Sequence, residues 1–244
     1  MINKKTGRLI LVLILLIGLL KSGAGQSLNY AEIFGSNWQK ALTFIEENNL
    51  WIKSALRKYD ISYSEAVAVV FPELVRYSAL RDKMETAMLK TLYKNLGDDY
   101  ADFSIGVFQV KPSFAEKIRE DVLIAKNRKI KKYLKEREAY PDERAFRASI
   151  ITDLEDPKTE LNYIIAFIFI CESRFETNWY DEASKIKFLA TAYNTGFWKT
   201  PEEIGAMTEK KFFNTKLFKT ENYSYADVAL FWYNQQFRNI DINE

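Results

Sequence analysis

Ser62-Tyr63-Ser64-Glu65-Ala66-Val67-Ala68-Val69-Val70-Phe71-Pro72-Glu73-Leu74-Val75 carries a helix start, an apolar run and an acid set among hydrocarbon side chains. Ser62 followed three residues later by Glu65 is a capping box, so a helix is expected to open there. Pro72 has no N–H to give the Ala68 carbonyl, and the helix is expected to kink or restart just before Glu73. Helical spacing recurs on both sides of this stretch. Trp38, Leu42, Ile45, Leu50 and Ile52 fall on one side of a helix expected over 37–58, and Leu161, Ile164, Ile165, Ile168 and Phe169 repeat the pattern later. Strand signals are scarce, so the fold class is mostly α.

The chain has 244 residues, of which 48% are apolar and 28% charged, which suits a folded globular domain. Histidine is absent, and this excludes Ser-His-Asp and Cys-His nucleophile systems, HExxH zinc sites and any imidazole base. The single cysteine, Cys171, can form neither an intrachain disulfide nor a zinc cluster.

Lys4, Lys5 and Arg8 precede an uninterrupted apolar run from Leu9 to Leu20, followed by small and polar residues through Gln26. That pattern reads as a signal peptide over 1–25, cleaved after Ala24 or Gly25, because twelve apolar residues give only about 18 Å of helix against a hydrocarbon core of about 30 Å. Losing its four basic residues takes the net charge from +2 to −2. A nearly neutral chain gives no reason to expect nucleic acid. The expectation is a single domain over 26–244, monomeric, in the periplasm or secreted.

Between Glu116 and Arg147 the chain is densely charged, with a thin apolar stripe at Ile124, Ile130 and Leu134. A solvated helix is the plain expectation. The basic run at 126–137 is also a candidate for peripheral contact with an anionic cell envelope, although Glu136 and Glu138 dilute its field.

Glu73 is flanked by Val69, Val70, Phe71, Leu74 and Val75. Such surroundings penalise the charged form, raise the carboxyl pKa and suit a general acid that later serves as base. The competing expectation is a solvent-facing glutamate beside Pro72, kept ionised by the helix dipole. Two further stretches follow in order, Ser104-Ile105-Gly106-Val107-Phe108-Gln109-Val110-Lys111-Pro112-Ser113-Phe114-Ala115 and Ala192-Tyr193-Asn194-Thr195-Gly196.

In that order, a glutamate, then Gly-x-x-Gln-x-x-Pro, then Ala-Tyr-Asn-x-Gly, the chain resembles the lytic transglycosylases of the lysozyme-like superfamily over roughly Ser62 to Val228. The resemblance implies a lysozyme-like helical domain with additional N-terminal and inserted helices. It also implies cleavage of the β-1,4 bond between N-acetylmuramic acid and N-acetylglucosamine in peptidoglycan glycan strands, with no metal or organic cofactor. Glu73 would be the single catalytic acid/base.

The substrate-binding residues implied are Ser104, Gly106, Gln109, Tyr193, Asn194 and Tyr225. Gly106 would let the backbone approach a sugar, and Gln109 would bind the acetamido group through its amide. Tyr193 would position the acid or the sugar, and Asn194 would contact glycan. Tyr225 would sit near the acid, with Tyr223 competing for that place.

Glu172, in Glu172-Ser173-Arg174-Phe175, looks locally closer to the family's usual Glu-Ser pair, but it follows the glutamine segment and would require a permuted order. Its expected place is the solvent face of a helix end, with Cys171 packed as a small apolar group. Leu74 stands where the family has serine. The spacing from Glu73 to Gln109 is long, so 83–102 reads as an insertion that brings Asp98, Asp99 and Asp102 near the site. A carboxylate there would assist a hydrolytic water, as in goose-type muramidases. A non-catalytic glycan-binding or scaffold protein of the same fold is the remaining alternative.

Overall fold

The computed structural model describes residues 28–79, 84–123, 128–175, 179–214 and 221–240. The signal peptide expected over 1–25, Ile124 and Lys126 lie outside them. Helix α1 (Tyr30–Phe34) opens the described chain, and the described residues from Phe34 onward form one compact unit. The fold is mostly helical. In this unit α2 (Ser36–Arg57), α3 (Tyr63–Ala79), α4 (Met84–Leu96), α5 (Pro112–Asp121) and the short α6 (Arg128–Lys131) are followed by α7 (Glu143–Glu155) and α8 (Pro157–Phe175). After these come α9 (Glu182–Thr195), α10 (Pro201–Met207), β1 (Lys211–Phe213), β2 (Tyr223–Ser224) and α11 (Tyr225–Ile240). The two short strands pair antiparallel, with Phe213 opposite Tyr223. Among the described residues no helix is long and apolar enough to cross a membrane.

Helix α8 is the hub, and it touches α2, α3, α5, α6, α7 and α9. Tyr163, Ile164, Ile165, Ala166, Phe167, Ile168, Ile170 and Cys171 are all fully buried, so the helix is enclosed around its circumference rather than on one face. Each fully buried Ile or Phe side chain contributes about 2 kcal/mol relative to exposure, and the concentration of such residues here makes α8 the mechanical axis of the fold. Only Asp156 separates it from α7, as the Asp-Pro turn requires.

Several expectations need correcting. Helix α3 runs unbroken through Pro72. Its neighbours α2, α8, α9 and α11 hold it in place, and this packing outweighs the single backbone hydrogen bond lost at the proline. The capping box forms only by half. Glu65 N donates to Ser62 Oγ at 3.4 Å, while the Glu65 carboxylate instead accepts from Lys185 Nζ at 3.0 Å, drawn by charge toward α9. On α2, Leu50 is exposed and Leu56 takes the core position beyond Ile52.

The charged segment is not one solvated helix. It breaks into α5, α6, a 3-10 turn at Arg137–Ala139 and α7, because Ile130 and Leu134 bury themselves while Arg137 is drawn onto carboxylates. Arg137 Nη2 donates to Glu116 Oε2 at 2.8 Å, and Arg137 also pairs with Glu143. Lys132 and Lys135 remain exposed.

A polar cluster fastens α5 to α7 and α8. Arg119, 1% exposed, donates from Nε to Tyr163 Oη at 2.8 Å, from Nη1 to Ser149 Oγ at 2.8 Å and Tyr140 Oη at 3.1 Å, and from Nη2 to Asp153 Oδ2 at 2.7 Å. A buried guanidinium is tolerated only with such saturation. Asp153→Ala would strand its charge and is expected to cost about 3 kcal/mol, measured as a lowered urea midpoint with an unchanged slope.

Candidate active site

Glu73 sits in the second half of α3 and is 4% exposed. Phe71 and Leu74, its neighbours in sequence, point into the core, where Phe71 meets Trp38 with ring centroids 4.7 Å apart and stacks on Trp232 at 5.1 Å. Tyr225, at the start of α11, donates its hydroxyl to the Val69 carbonyl at 3.1 Å, one turn before Glu73. The helix is therefore pinned from α11 beside the carbonyl that Pro72 cannot serve.

Arg76 Nη1 donates to Glu73 Oε1 at 3.0 Å, while Glu73 Oε2 is buried with no hydrogen-bond partner. Burial pushes the carboxyl from its ordinary 4.5 to about 7, against the opposing charges of Arg76 and Lys111. Near neutral pH the group is thus poised between acid and base.

The segment after α4 forms a tight turn. Ile105 N donates to the Val110 carbonyl at 2.9 Å, closing residues 106–109 into a loop with Gly106 at φ +75° and Gln109 at φ +57°. A left-handed glutamine is uncommon, and it is held here by its own Nε2 donating to the Gly106 carbonyl at 2.7 Å. The loop is gripped from beneath by Glu160 of α8, fully buried, whose Oε2 and Oε1 accept from Val107 N at 3.0 Å and Phe108 N at 3.1 Å. Burial pushes the Glu160 carboxyl well up, while the N–H groups of Phe108, Val110 and Val107 pull it down. From α9, Tyr193 donates its hydroxyl to the Phe108 carbonyl at 2.9 Å. Helix α9 is aligned for this by a complete capping box between Asp181 and Ser184, and it ends at Gly196, φ +111°, where a Cβ would strike the Trp198 ring at 2.7 Å.

These elements meet at one cleft. Glu73 lines it together with Ser104, Gln109, Tyr193 and Asn194, so five of the residues singled out in the sequence converge. Two do not reach it. Gly106 stands outside the lining because its missing side chain serves Glu160: a Cβ would lie 2.3 Å from Glu160 Oε2 and from the Leu154 carbonyl. Tyr225 borders a smaller cavity behind Asn194, and its hydroxyl is spent on Val69. The Tyr193 hydroxyl is likewise committed to backbone, and burial with the nearby Glu160 and Glu73 charges raises it well above its ordinary value.

Tyr223 pairs across β1 and β2 and donates to Glu221. Glu172 lies outside the cleft, half-buried rather than fully solvent-facing, and accepts from Lys185 Nζ at 2.9 Å. Of the insertion's acids, Asp102 lines the cleft and accepts from Lys111 Nζ at 3.3 Å and Ser113 N at 3.2 Å, whereas Asp98 and Asp99 do not line it.

Sequence reasoning missed Arg76, Lys111 and Trp198. The first was signalled by its i, i+3 spacing from Glu73, and the last by its place just after the Asn194-Thr195-Gly196 turn. Trp198 is 46% exposed at the rim, propped edge-on against Phe197 at 5.4 Å, and offers an aromatic face of the kind that packs on sugar rings. Among the described residues no group of acids and Cys171 could hold a metal ion.

No protein-family model, curated protein or solved structure matches the chain.

Two outcomes follow from this geometry. Gly106→Ala combines a strained φ with a clash against a buried carboxylate and a carbonyl, and is expected to lose more than about 2 kcal/mol in urea unfolding. Glu73 has a folded-state pKa above its unfolded value, so stability is full below pH 4.5 and declines as pH rises to about 7. Relative to Glu73→Gln, which lacks this titration, the wild type is expected to lose about 3 kcal/mol across that window, read from thermal or urea unfolding at pH 4 and pH 8.

Proposed function

We propose that the chain is an exported peptidoglycan lytic transglycosylase of lysozyme-like architecture. The observation that carries this reading is Glu73, nearly excluded from water yet lining a cleft shared with Gln109, Tyr193 and Asn194. It is supported by the order of the three motifs and by the exposed rim tryptophan, Trp198.

In the proposed reaction the Glu73 carboxyl protonates the glycosidic oxygen between N-acetylmuramic acid and N-acetylglucosamine. The bond from that oxygen to C1 of the muramic acid breaks. The same sugar's C6 hydroxyl bonds to C1 and returns its proton to the Glu73 carboxylate, leaving a 1,6-anhydro end and a regenerated acid. A carboxyl with a pKa of about 7 serves both halves of this cycle near neutral pH. Gln109, with Nε2 committed to Gly106, has its Oε1 to accept the N–H of an acetamido group. No step calls for a metal or cofactor.

A hydrolytic outcome is the second reading, because Asp102 shares the cleft with Glu73 and could orient a water. Leu74, where the resembled family has serine, is buried in the core at 2% exposure and makes no part of the cleft, so the replacement leaves the acid itself in place.

Incubation with purified sacculi and mass spectrometry of the soluble products separates the outcomes. Anhydro-muropeptides are expected, reducing ends would select the hydrolase, and binding without products would leave a glycan-binding module. Glu73→Gln is expected to lower the rate by about 10²–10⁴-fold, and the wild-type rate is expected to fall as pH rises above about 7.

A further inference from the structure

The two oxygens of Glu73 differ. Oε1 accepts from the Arg76 guanidinium at 3.0 Å, one turn along the same helix, whereas Oε2 is buried without a partner. We propose that Arg76 is a positioning residue for the reaction proposed above: by occupying Oε1 it confines the transferable proton to Oε2. This rests on the transglycosylase reading and adds to it which oxygen acts and what selects it.

A guanidinium carries five N–H donors and no acceptor. A hydroxyl proton on Oε1 would face a donor and lose its bond, so the neutral carboxyl keeps Oε1 as the carbonyl-type acceptor and carries its hydrogen on Oε2. An unsatisfied buried oxygen is costly, and because Oε2 is covered in the free cleft, a ligand oxygen relieves that cost by displacing the cover and accepting the Oε2 proton.

Arg76 is itself braced. Its guanidinium lies 4.8 Å from the centroid of the Phe213 ring, and Phe213, 1% exposed, is fixed in β1 opposite Tyr223 and against the Tyr225 ring at 5.6 Å. The arginine is therefore held between the acid and an immobile aromatic, and it also lines the cleft. Among the described residues, the other titratable groups whose charge is felt with that of Glu73 are Lys111 before α5, Tyr193 of α9 and Tyr225 of α11. The two tyrosine hydroxyls are committed to Phe108 and Val69 carbonyls, and Lys111 is bonded to Asp102. That leaves Arg76 as the group shown bonded to the acid.

The test uses the chain labelled with ¹³C at glutamate Cδ, together with sacculus digestion. In Arg76→Met the Glu73 carboxyl resonance, assigned by its loss in Glu73→Gln, is expected to titrate about one pH unit higher than in wild type. The alkaline limb of the digestion rate is expected to move upward with it. The rate below that limb is expected to drop at least about tenfold, because the proton is no longer confined to one oxygen. Arg76→Lys keeps the charge without the planar fork and is expected to hold the titration near wild type while recovering part of the rate. Phe213→Leu, which removes the brace and keeps Arg76, is expected to lower the rate with little change in substrate affinity.

An unmoved Glu73 titration in Arg76→Met, or a full digestion rate in that variant, overturns the assignment. If Arg76→Met does not fold, the digestion rates of Arg76→Lys and Phe213→Leu decide, and wild-type rates in both overturn it. The carboxyl titration needs no substrate, so failure of the wild type to cleave sacculi would remove the functional reading while the titration still tests the Arg76–Glu73 coupling.

Discussion

A single carboxylate far from any solvent organises the cleft. Glu160, on the central helix, offers both oxygens to consecutive backbone N–H groups of the 106–109 loop, at 3.0 and 3.1 Å. Backbone donors turned inward at a loop need acceptors, and supplying them from a helix makes the loop an extension of the core. Gly106 is then obligatory because the carboxylate occupies the space of a side chain. Once the loop is fixed, Gln109 is held left-handed with its amide at the cleft wall, and the Phe108 carbonyl is placed to receive Tyr193.

Four glutamates are buried among the described residues, and three of them, Glu116, Glu160 and Glu73, show how environment assigns roles to one residue type. Glu116 accepts from Tyr93 Oη at 2.7 Å and from Arg137, and it ties α4 to α5 and the turn before α7. Glu160 is consumed by backbone. Glu73 keeps an oxygen with no partner at all, the one arrangement of the three that leaves something for a ligand to do. Among the described residues Glu65 Oε1, Arg147 Nε and Trp232 Nε1 also lack a hydrogen-bond partner, but Glu65 Oε1 lies 3.0 Å from Lys185 Nζ and none of these residues lines the cleft, so Glu73 is set apart by its place as much as by the vacancy.

The helical class was legible because apolar residues recur at helical spacing in α2 and α8, and α3 was legible from Ser62 and the run to Phe71. Periodicity could not say that α8 is buried all round, since a fully enclosed helix and a one-sided one share the same apolar positions when the remainder are Tyr, Ala and Phe. Nor could local rules foresee that α3 would carry Pro72 without a break, because the packing that outweighs it is long-range.

At the site, motif order brought Glu73, Ser104, Gln109, Tyr193 and Asn194 together. Gly106 and Tyr225 were read as touching substrate, and both instead serve backbone geometry, a distinction that needs the third dimension. Glu160 gave no signal at all, because a glutamate in the first turn of a helix ordinarily faces water.

The cleft's charges come in compensating couples, Glu73 with Arg76 and Asp102 with Lys111. Because the Glu73 carboxyl is pushed up to about 7, their sum runs from zero to one positive charge as Glu73 takes up its proton, and the field from the cleft's own pairs fades within about one Debye length. Under the proposed function, encounter with a glycan strand then owes little to steering by the cleft's own charges, and ionic strength has little hold over its speed.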